Sequence, residues 1–463
     1  MAIRVFCTSF FSGLIWAMCL IAAQPVRDPQ TALAAAERYA EAGNWDAARP
    51  LYAEAEAGFQ AKGDERNRLY AKFGRLHRDL ETGSYSEYLA AIDAELASPV
   101  AQSDPAVRIR GLALKATVIM NLNSSAARRD WQEIARLADA IGDKKWANRS
   151  AGELALLAGL DGDYATALPR LLGAIKTAEA LGDVGSEVYF KTFLANGMTV
   201  VGRPEQALPF FGSAIAAVTK NPESGYPLVP TIGKVRALTM LKRDAEARAL
   251  IAEALQYADE HQVLGARTEL LVQSGLLSLH ARDLDAAEAA FQQAAKTARE
   301  ATLPRMIAPA CSGLIDVYET RGNWMSADTE ADEAIAALRE AEEGYDLPEL
   351  LAKKAEIAVA LGQADRADEI YGQATQLVES MLVNMPSSQT KRSLIGSMSR
   401  LYTGHFRLAV EQFNDTSRAF DILEHARGRS LADSLRYGGR ADQSPTAWER
   451  QITTLQQKIR RTR

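Results

Sequence analysis

Small apolar residues recur along this chain with a step of 40 residues. The first column of alanines comprises Ala127, Ala167, Ala207, Ala247, Ala287, Ala327 and Ala367. A second column follows seven residues later and comprises Ala174, Ala214, Ala254, Ala294, Ala334 and Ala374. Between them lies a position that is usually larger, occupied by Leu171, Phe211, Ile251, Phe291, Ala331 and Tyr371. Offsets of four and seven residues place the three columns on one face of an α-helix.

A short turn precedes these helices, and its sequence is similar from copy to copy. The copies are GNWDAA (43–48), GDYATA (162–167), GRPEQA (202–207), GNWMSA (322–327) and GQADRA (362–367). Glycine ends the preceding helix because it adopts the left-handed conformation at little cost, and a following Asn or Asp caps the next helix. The pattern predicts repeated units of helix, tight turn and helix, and therefore an all-α fold.

These motifs resemble the tetratricopeptide repeat, whose usual period is about 34 residues. The resemblance implies a right-handed superhelical solenoid in which the first helix of each pair lines the concave face. We expect about nine units over residues 28–385, with helices or connections longer than usual. The second and third units depart from the motif, because Glu87 and Tyr88 stand where alanine belongs and the turn in NSSAARRDW (123–131) lacks its glycine.

The 40-residue columns stop after Met385. Residues 386–437 are expected to form C-terminal capping helices, with an apolar stripe of Phe420, Leu423 and Leu431 covering the last repeat. This part resembles the junction at which tetratricopeptide proteins lead into a caspase-like CHAT peptidase domain. The resemblance marks Glu424, Arg427 and Arg429 as candidate junction or docking residues. Residues 438–463 are expected to be a linker and the start of a truncated helix, without the His and Cys of such a peptidase.

The first 23 residues have the pattern of a secretory signal peptide. Arg4 precedes an apolar run that ends in small residues, and an uncleaved membrane anchor is the alternative. Export to a periplasm or to the exterior is therefore expected. Beyond Cys7 and Cys19 of this leader, the chain contains one further cysteine, Cys311, so its fold is expected to depend on packing rather than on disulfides.

Composition narrows the class of partner. The chain is 47% hydrophobic and 24% charged, which is typical of a globular protein, and its formal charge is −6 with a pI near 5.6. Nucleic-acid-binding domains are usually basic, so no nucleic-acid partner is expected. The partner is predicted to be a protein or a peptide.

Catalytic, cofactor and metal motifs are missing from the sequence. There is no G-x-S-x-G, no P-loop, no H-E-x-x-H and no C-x-x-C. The five histidines are scattered, without the i, i+3 or i+4 spacing of a helical metal site. Cys311 lies in a mostly apolar column and is predicted to be a buried structural thiol. The prediction is a protein without catalytic residues, cofactor or metal.

One set of polar positions suggests a binding surface. Successive first helices carry Asn196, Arg236, Asp316 and Glu356 at one shared position and Thr199, Thr239 and Glu319 at a second. The functional interpretation is a concave groove that binds an extended peptide by hydrogen bonds and charge. The structural interpretation is a solvated helix face. The two hypotheses for the whole protein are a non-catalytic interaction scaffold, or the sensor arm of a CHAT-type cysteine peptidase whose catalytic domain is outside this chain.

Overall fold

A computed structural model describes residues 27–77, 82–384, 394, 396 and 398–424, and the statements below concern these residues. The fold is all-helical over this part of the chain. The α-helices are α1 (Pro29–Glu41), α2 (Trp45–Ala61), α3 (Glu65–Leu76), α4 (Tyr85–Leu96), α5 (Pro99–Ser103), α6 (Pro105–Leu122), α7 (Ser124–Ile141), α8 (Lys144–Leu160), α9 (Tyr164–Leu181), α10 (Val184–Val200), α11 (Pro204–Thr219), α12 (Leu228–Met240), α13 (Asp244–Glu260), α14 (Leu264–His280), α15 (Leu284–Glu300), α16 (Pro304–Thr320), α17 (Trp324–Glu340), α18 (Leu347–Ala360), α19 (Ala364–Asn384) and α20 (Ser399–Glu411). A 3₁₀ turn covers Pro222–Ser224, and residues 416–424 are helical.

The helices pair in sequence order, and each pair stacks on the next. We number the units one to nine as α1–α2, α3–α4, α6–α7, α8–α9, α10–α11, α12–α13, α14–α15, α16–α17 and α18–α19. The short helix α5 lies between the second and third units. The predicted fold class is confirmed: the chain forms a right-handed, tetratricopeptide-like solenoid, and α20 continues the stack beyond α19.

Turn chemistry sets the boundary between the two helices of a unit. Gly162 and Gly322 have φ angles of +88° and +70°, in the region that side chains with a β-carbon rarely adopt. The next residue caps the second helix: Asp163 accepts a hydrogen bond from the Thr166 amide at 3.2 Å, and Asn323 accepts one from the Ser326 amide at 3.3 Å. These glycines and caps stop one helix and start the next within three residues.

The three apolar columns form the core between units. Every alanine of the two alanine columns is buried, and so is every residue of the larger column. The large residues fit against glycines: a glycine stands 22 residues after Tyr52, Phe211 and Phe291, at positions 74, 233 and 313. A β-carbon on any of these glycines would overlap the preceding aromatic ring. Interiors packed at this density leave no room for both groups, so the ring and the glycine form one packing unit.

The C-terminal helices continue the packing with a different residue choice. Gly404 of α20 lies against Tyr371, so α20 takes the place of a further first helix. In the following helical stretch, Ala419 and Ile422 are buried with Ala409, whereas Phe420 is 61% exposed. The prediction that Phe420 covers the last repeat is therefore wrong.

Some predicted features lie outside the described residues. They are the leader at residues 1–23, the linker at 438–463, and the side chains of Leu431, Arg427 and Arg429. Glu424, at the end of the last described helical stretch, is exposed. Among the described helices, none combines the length and apolar character needed to cross a membrane.

Candidate binding groove

Ion pairs link first helices of neighbouring units at the predicted polar column. Arg236 of α12 binds Glu269 of α14, with Nη2 2.7 Å from Oε1. Asp316 of α16 is paired with Lys353 of α18. The same geometry recurs one unit later, where Glu356 Oε2 lies 3.3 Å from an Nη1 of Arg400 in α20. The column is therefore a ladder of partly exposed charge pairs.

The second predicted column is a different case. Thr199 is 1% exposed and Thr239 is 7% exposed. Each hydroxyl donates to a carbonyl of its own helix, Thr199 to Ala195 at 2.8 Å and Thr239 to Val235 at 3.0 Å. The interpretation of these two threonines as exposed groove donors is wrong, because the neighbouring helices cover them and their hydroxyls serve the backbone.

Asn196 lies where the column meets the core. Its side chain is half-buried, and Oδ1 is buried without a hydrogen-bond partner among the described residues. A β-carbon on Gly233 of the next first helix would lie 3.0 Å from this oxygen. The close approach of α12 thus covers the amide oxygen, and Asn196 contributes less to an exposed groove than its column position suggests.

The remaining predicted residues converge at the C-terminal end of the ladder. Asp316 and Glu319 of α16, Lys353 and Glu356 of α18, and Arg400 of α20 form one cluster, which we call the charged groove. Burial raises the pKa of Glu319, and the nearby carboxylates Asp316 and Glu356 add to the effect against Lys353 and Arg400. Burial likewise raises the pKa of Glu356, opposed by its basic neighbours. The groove therefore retains unbalanced negative potential.

A cavity of about 530 Å³ adjoins this cluster. Asp316, Lys353 and Arg400 belong to its wall, and Leu338 and Leu350 supply apolar surface. The remaining charged lining residues are Arg305, Glu343, Asp346 and Glu349. A concave volume with an apolar part and convergent polar groups is the usual form of a ligand site.

Sequence patterns did not identify half of this site. Lys353 occupies the position that is Gly233 and Gly313 in other units, so the repeat pattern assigns it to the core. Here Ala331 stands where Phe211 and Phe291 stand in the other units, and the smaller residue leaves room for the lysine. Arg400 lies beyond the last periodic column. The signal that could have found Lys353 is this exchange of sizes between paired positions.

The described residues bring three groups with metal-ligand chemistry together around Cys311. Its sulfur and one carboxylate oxygen each of Glu330 and Glu333 lie within 4.8 Å of one another. Cys311 is fully buried, as predicted, and burial strongly raises the pKa of its thiol. Arg299 donates to both oxygens of Glu333 at 2.5 and 2.7 Å. The guanidinium thus already neutralises one carboxylate, and the arrangement fits a buried, hydrogen-bonded thiol, not a reactive thiolate.

Comparisons with known proteins give structural likenesses at low identity. No protein-family model and no curated protein matches this sequence. A Rap protein complexed with competence and sporulation factor is 13% identical, with 89% of this chain and 99% of that chain covered and a TM-score of 0.47. Yeast Tom70 is also 13% identical, with 88% and 97% covered and a TM-score of 0.44.

A third likeness is to a larger protein. It is a signal transduction ATPase with numerous domains from Pyrococcus horikoshii that carries a tetratricopeptide repeat sensor. The identity is 14% and the TM-score 0.46, with 84% of this chain covered. This chain spans about half of that protein, 53% of its length.

Proposed function

We propose that this protein is a non-catalytic interaction scaffold that binds an extended protein or peptide segment in the charged groove. The observation that carries the proposal is the convergence of Asp316, Glu319, Lys353, Glu356 and Arg400 from three successive first helices beside a cavity. A stack of first helices presents such side chains in a row, which suits a linear ligand. A backbone segment finds both donors and acceptors there.

Charge supports a ligand with basic side chains. The cavity lining and the groove together hold three basic side chains, Arg305, Lys353 and Arg400. The carboxylates are twice as many: Asp316, Glu319, Glu343, Asp346, Glu349 and Glu356. A lysine or arginine of the ligand would relieve the repulsion that raises the pKa values of Glu319 and Glu356, and charge-assisted hydrogen bonds are the stronger ones.

An array of short peptides with varied composition tests this function directly. Labelled full-length protein is expected to retain peptides enriched in lysine and arginine. Glu319→Gln and Glu356→Gln together are expected to weaken this retention by about tenfold. Glu246→Gln is the matched control, because Glu246 is an exposed carboxylate that pairs with Arg243 on the second helix of the sixth unit. Retention without preference for basic residues would contradict the proposal.

A second proposal is that the solenoid is the sensor arm of a CHAT-type cysteine peptidase. The observation in its favour is the junction-like segment 419–435, which directly follows the stacked helix α20. Sequencing the gene beyond the last codon tests it. A downstream open reading frame encoding the peptidase sheet with its His and Cys would support the sensor arm, and its absence would leave the scaffold alone.

Export is proposed from the leader pattern of residues 1–23. Cell fractionation followed by mass spectrometry of the amino terminus tests it. A mature chain starting near Gln24 in the exported fraction is expected. An intact leader in the membrane fraction would instead indicate the anchor.

A further inference from the structure

Distant units of this solenoid touch each other. In repeat proteins of this kind, each unit normally contacts only its neighbours. Here the turn at residues 83–86, in the second unit, meets the end of the eighth unit, more than 220 residues later in the chain. We call this contact the latch, with residues 83–86 on one side and Arg305, Ala341, Glu342 and Glu343 on the other.

Arg305 holds both sides of the latch. Its Nη1 donates to the Gly83 carbonyl at 2.8 Å, and its Nη2 donates to the Ala341 carbonyl at 2.7 Å. The guanidinium also lies over the Tyr85 ring, 4.2 Å from the ring centre. One half-buried side chain therefore joins two backbone segments and an aromatic face, a geometry that the planar arginine fork makes possible and lysine does not.

Two glutamates complete the contact. Glu343 accepts a hydrogen bond from the Tyr85 hydroxyl at 2.5 Å. Glu342 accepts from the Ser86 amide at 2.8 Å and from the Ser86 hydroxyl at 2.7 Å. Glu342 has a φ of +54°, an unusual conformation for a residue with a β-carbon, just after α17. The eighth unit thus bears a strained backbone position where it meets the second.

A second long-range contact lies at the first unit. Asn44 donates to the Ser224 carbonyl at 2.6 Å, and Arg38 pairs with Glu223 at 3.2 Å. These partners stand 180 and more residues apart in the chain. Because two separate contacts bridge the solenoid, the first and second units are both held against later parts of the superhelix.

The latch shares residues with the cavity wall. Arg305 and Glu343 take part in both, so the hydrogen bonds of the latch fix the positions of two charged lining groups. We propose that the latch is a conformational switch that holds the superhelix closed, and that its opening separates the second and eighth units and releases this wall of the cavity. Such a transition is a hinge-type movement in which few hydrogen bonds decide between two arrangements.

Hydrogen exchange and small-angle scattering of the full-length protein test the latch without any ligand, so the outcome is separable from the binding proposal. In Arg305→Gln and in Tyr85→Ala, the Ser86 segment is expected to exchange about tenfold faster, because the amide loses its ordered acceptor. The radius of gyration is expected to increase. Arg321→Gln is the matched control, since Arg321 pairs with Asp285 and Glu288 between adjacent units only.

Circular dichroism checks that the variants keep their helices. If either latch variant fails to fold, Tyr85→Phe provides the test, because it keeps the ring and removes only the hydroxyl bonded to Glu343. It is expected to accelerate exchange at Ser86 by less than the other variants. Exchange and radius of gyration that match the wild type in folded latch variants would overturn the proposal, as would equal changes in the Arg321→Gln control.

Discussion

The ring of Phe291 in α15 occupies the space in which a β-carbon of Gly313 in α16 would lie. The same ring also lies against Gly275 of α14, where a β-carbon would come within 2.6 Å of it. Phe291 is fully buried. Two first helices therefore approach one aromatic side chain of the helix between them, and the missing side chains make that approach possible.

Gly313→Ala is expected to destabilise the protein, because the added methyl group meets the Phe291 ring. Overpacking a core costs about 1–3 kcal/mol, which outweighs the gain of up to about 1 kcal/mol from replacing glycine in a helix. Chemical denaturation measures the difference. The double variant with Phe291→Leu is expected to recover part of the loss, since the smaller side chain frees the space.

Gly212→Ala is the control for this substitution. Gly212 is also inside a helix, but a β-carbon there has no heavy atom within 4 Å. The variant is expected to gain up to about 1 kcal/mol through helix propensity. Equal effects of the two alanine substitutions would show that the Phe291 contact does not limit this position.

Arg236→Glu is expected to weaken capture of the peptides that the wild-type protein retains, with little change in melting temperature. Arg236 and Glu269 have side chains that are 41% and 34% exposed, and such pairs contribute about 0–1 kcal/mol. The combination of Arg236→Glu with Glu269→Arg restores the pair in reverse. Recovered binding in the double variant would mean that the pair, not the position of Arg236, matters; unchanged capture in the single variant would remove Arg236 from the groove.

Glu319→Gln is expected to stabilise the protein at neutral pH. Burial raises the pKa of Glu319 above its model value of 4.5, so the charged form is disfavoured in the folded state. The wild type therefore loses stability as pH rises from about 4.5 through the folded pKa, and the neutral glutamine avoids this loss. Denaturation at several pH values measures the gap between variant and wild type, which should widen with rising pH and then level off.

Glu246→Gln is the control with the opposite sign. The hydrogen bond with Arg243 lowers the pKa of Glu246, so this residue offers no gain on neutralisation. A stabilising effect of the same size in both variants would indicate a general response to reduced negative charge, and would contradict the role assigned to burial at Glu319.

His405 is expected to make stability fall in mild acid. Burial lowers its pKa below 6.5, although its hydrogen bond to Asp368 at 3.0 Å opposes this. As pH falls below about 6.5, the unfolded chain binds the proton first, so stability is lost until the folded pKa is passed. His405→Gln should flatten the melting temperature between about pH 6.5 and 5, compared with the wild type. An unchanged slope would show that His405 does not control it.

The periodic columns determined most of the fold. The alanines at steps of 40 residues and the capped glycine turns predict helix pairs that stack on their neighbours, because burial and helix geometry act over short distances in the sequence. The same logic failed for Thr199 and Thr239. Their column position lies next to the exposed one on the helix, and only the packing of neighbouring helices shows that they are covered.

The charged groove was predicted in part. Asp316, Glu319 and Glu356 follow from their column, whereas Lys353 is assigned to the core until Ala331 is seen to leave space for it. Arg400 lies outside the period, and Arg305 reaches the cavity from the first turn of α16. No column connects these basic residues, because they arrive from different depths of the helix stack.

The sequence by itself determined the helical units, their turns and the contacts between neighbours, since each depends on residues a few tens of positions apart. Only the tertiary structure decided that Arg305 meets Gly83 and that Asn44 meets Ser224. Those contacts depend on the rotation between successive units, summed over several of them. Small differences in packing at each interface set that sum, and no local pattern in the sequence encodes it.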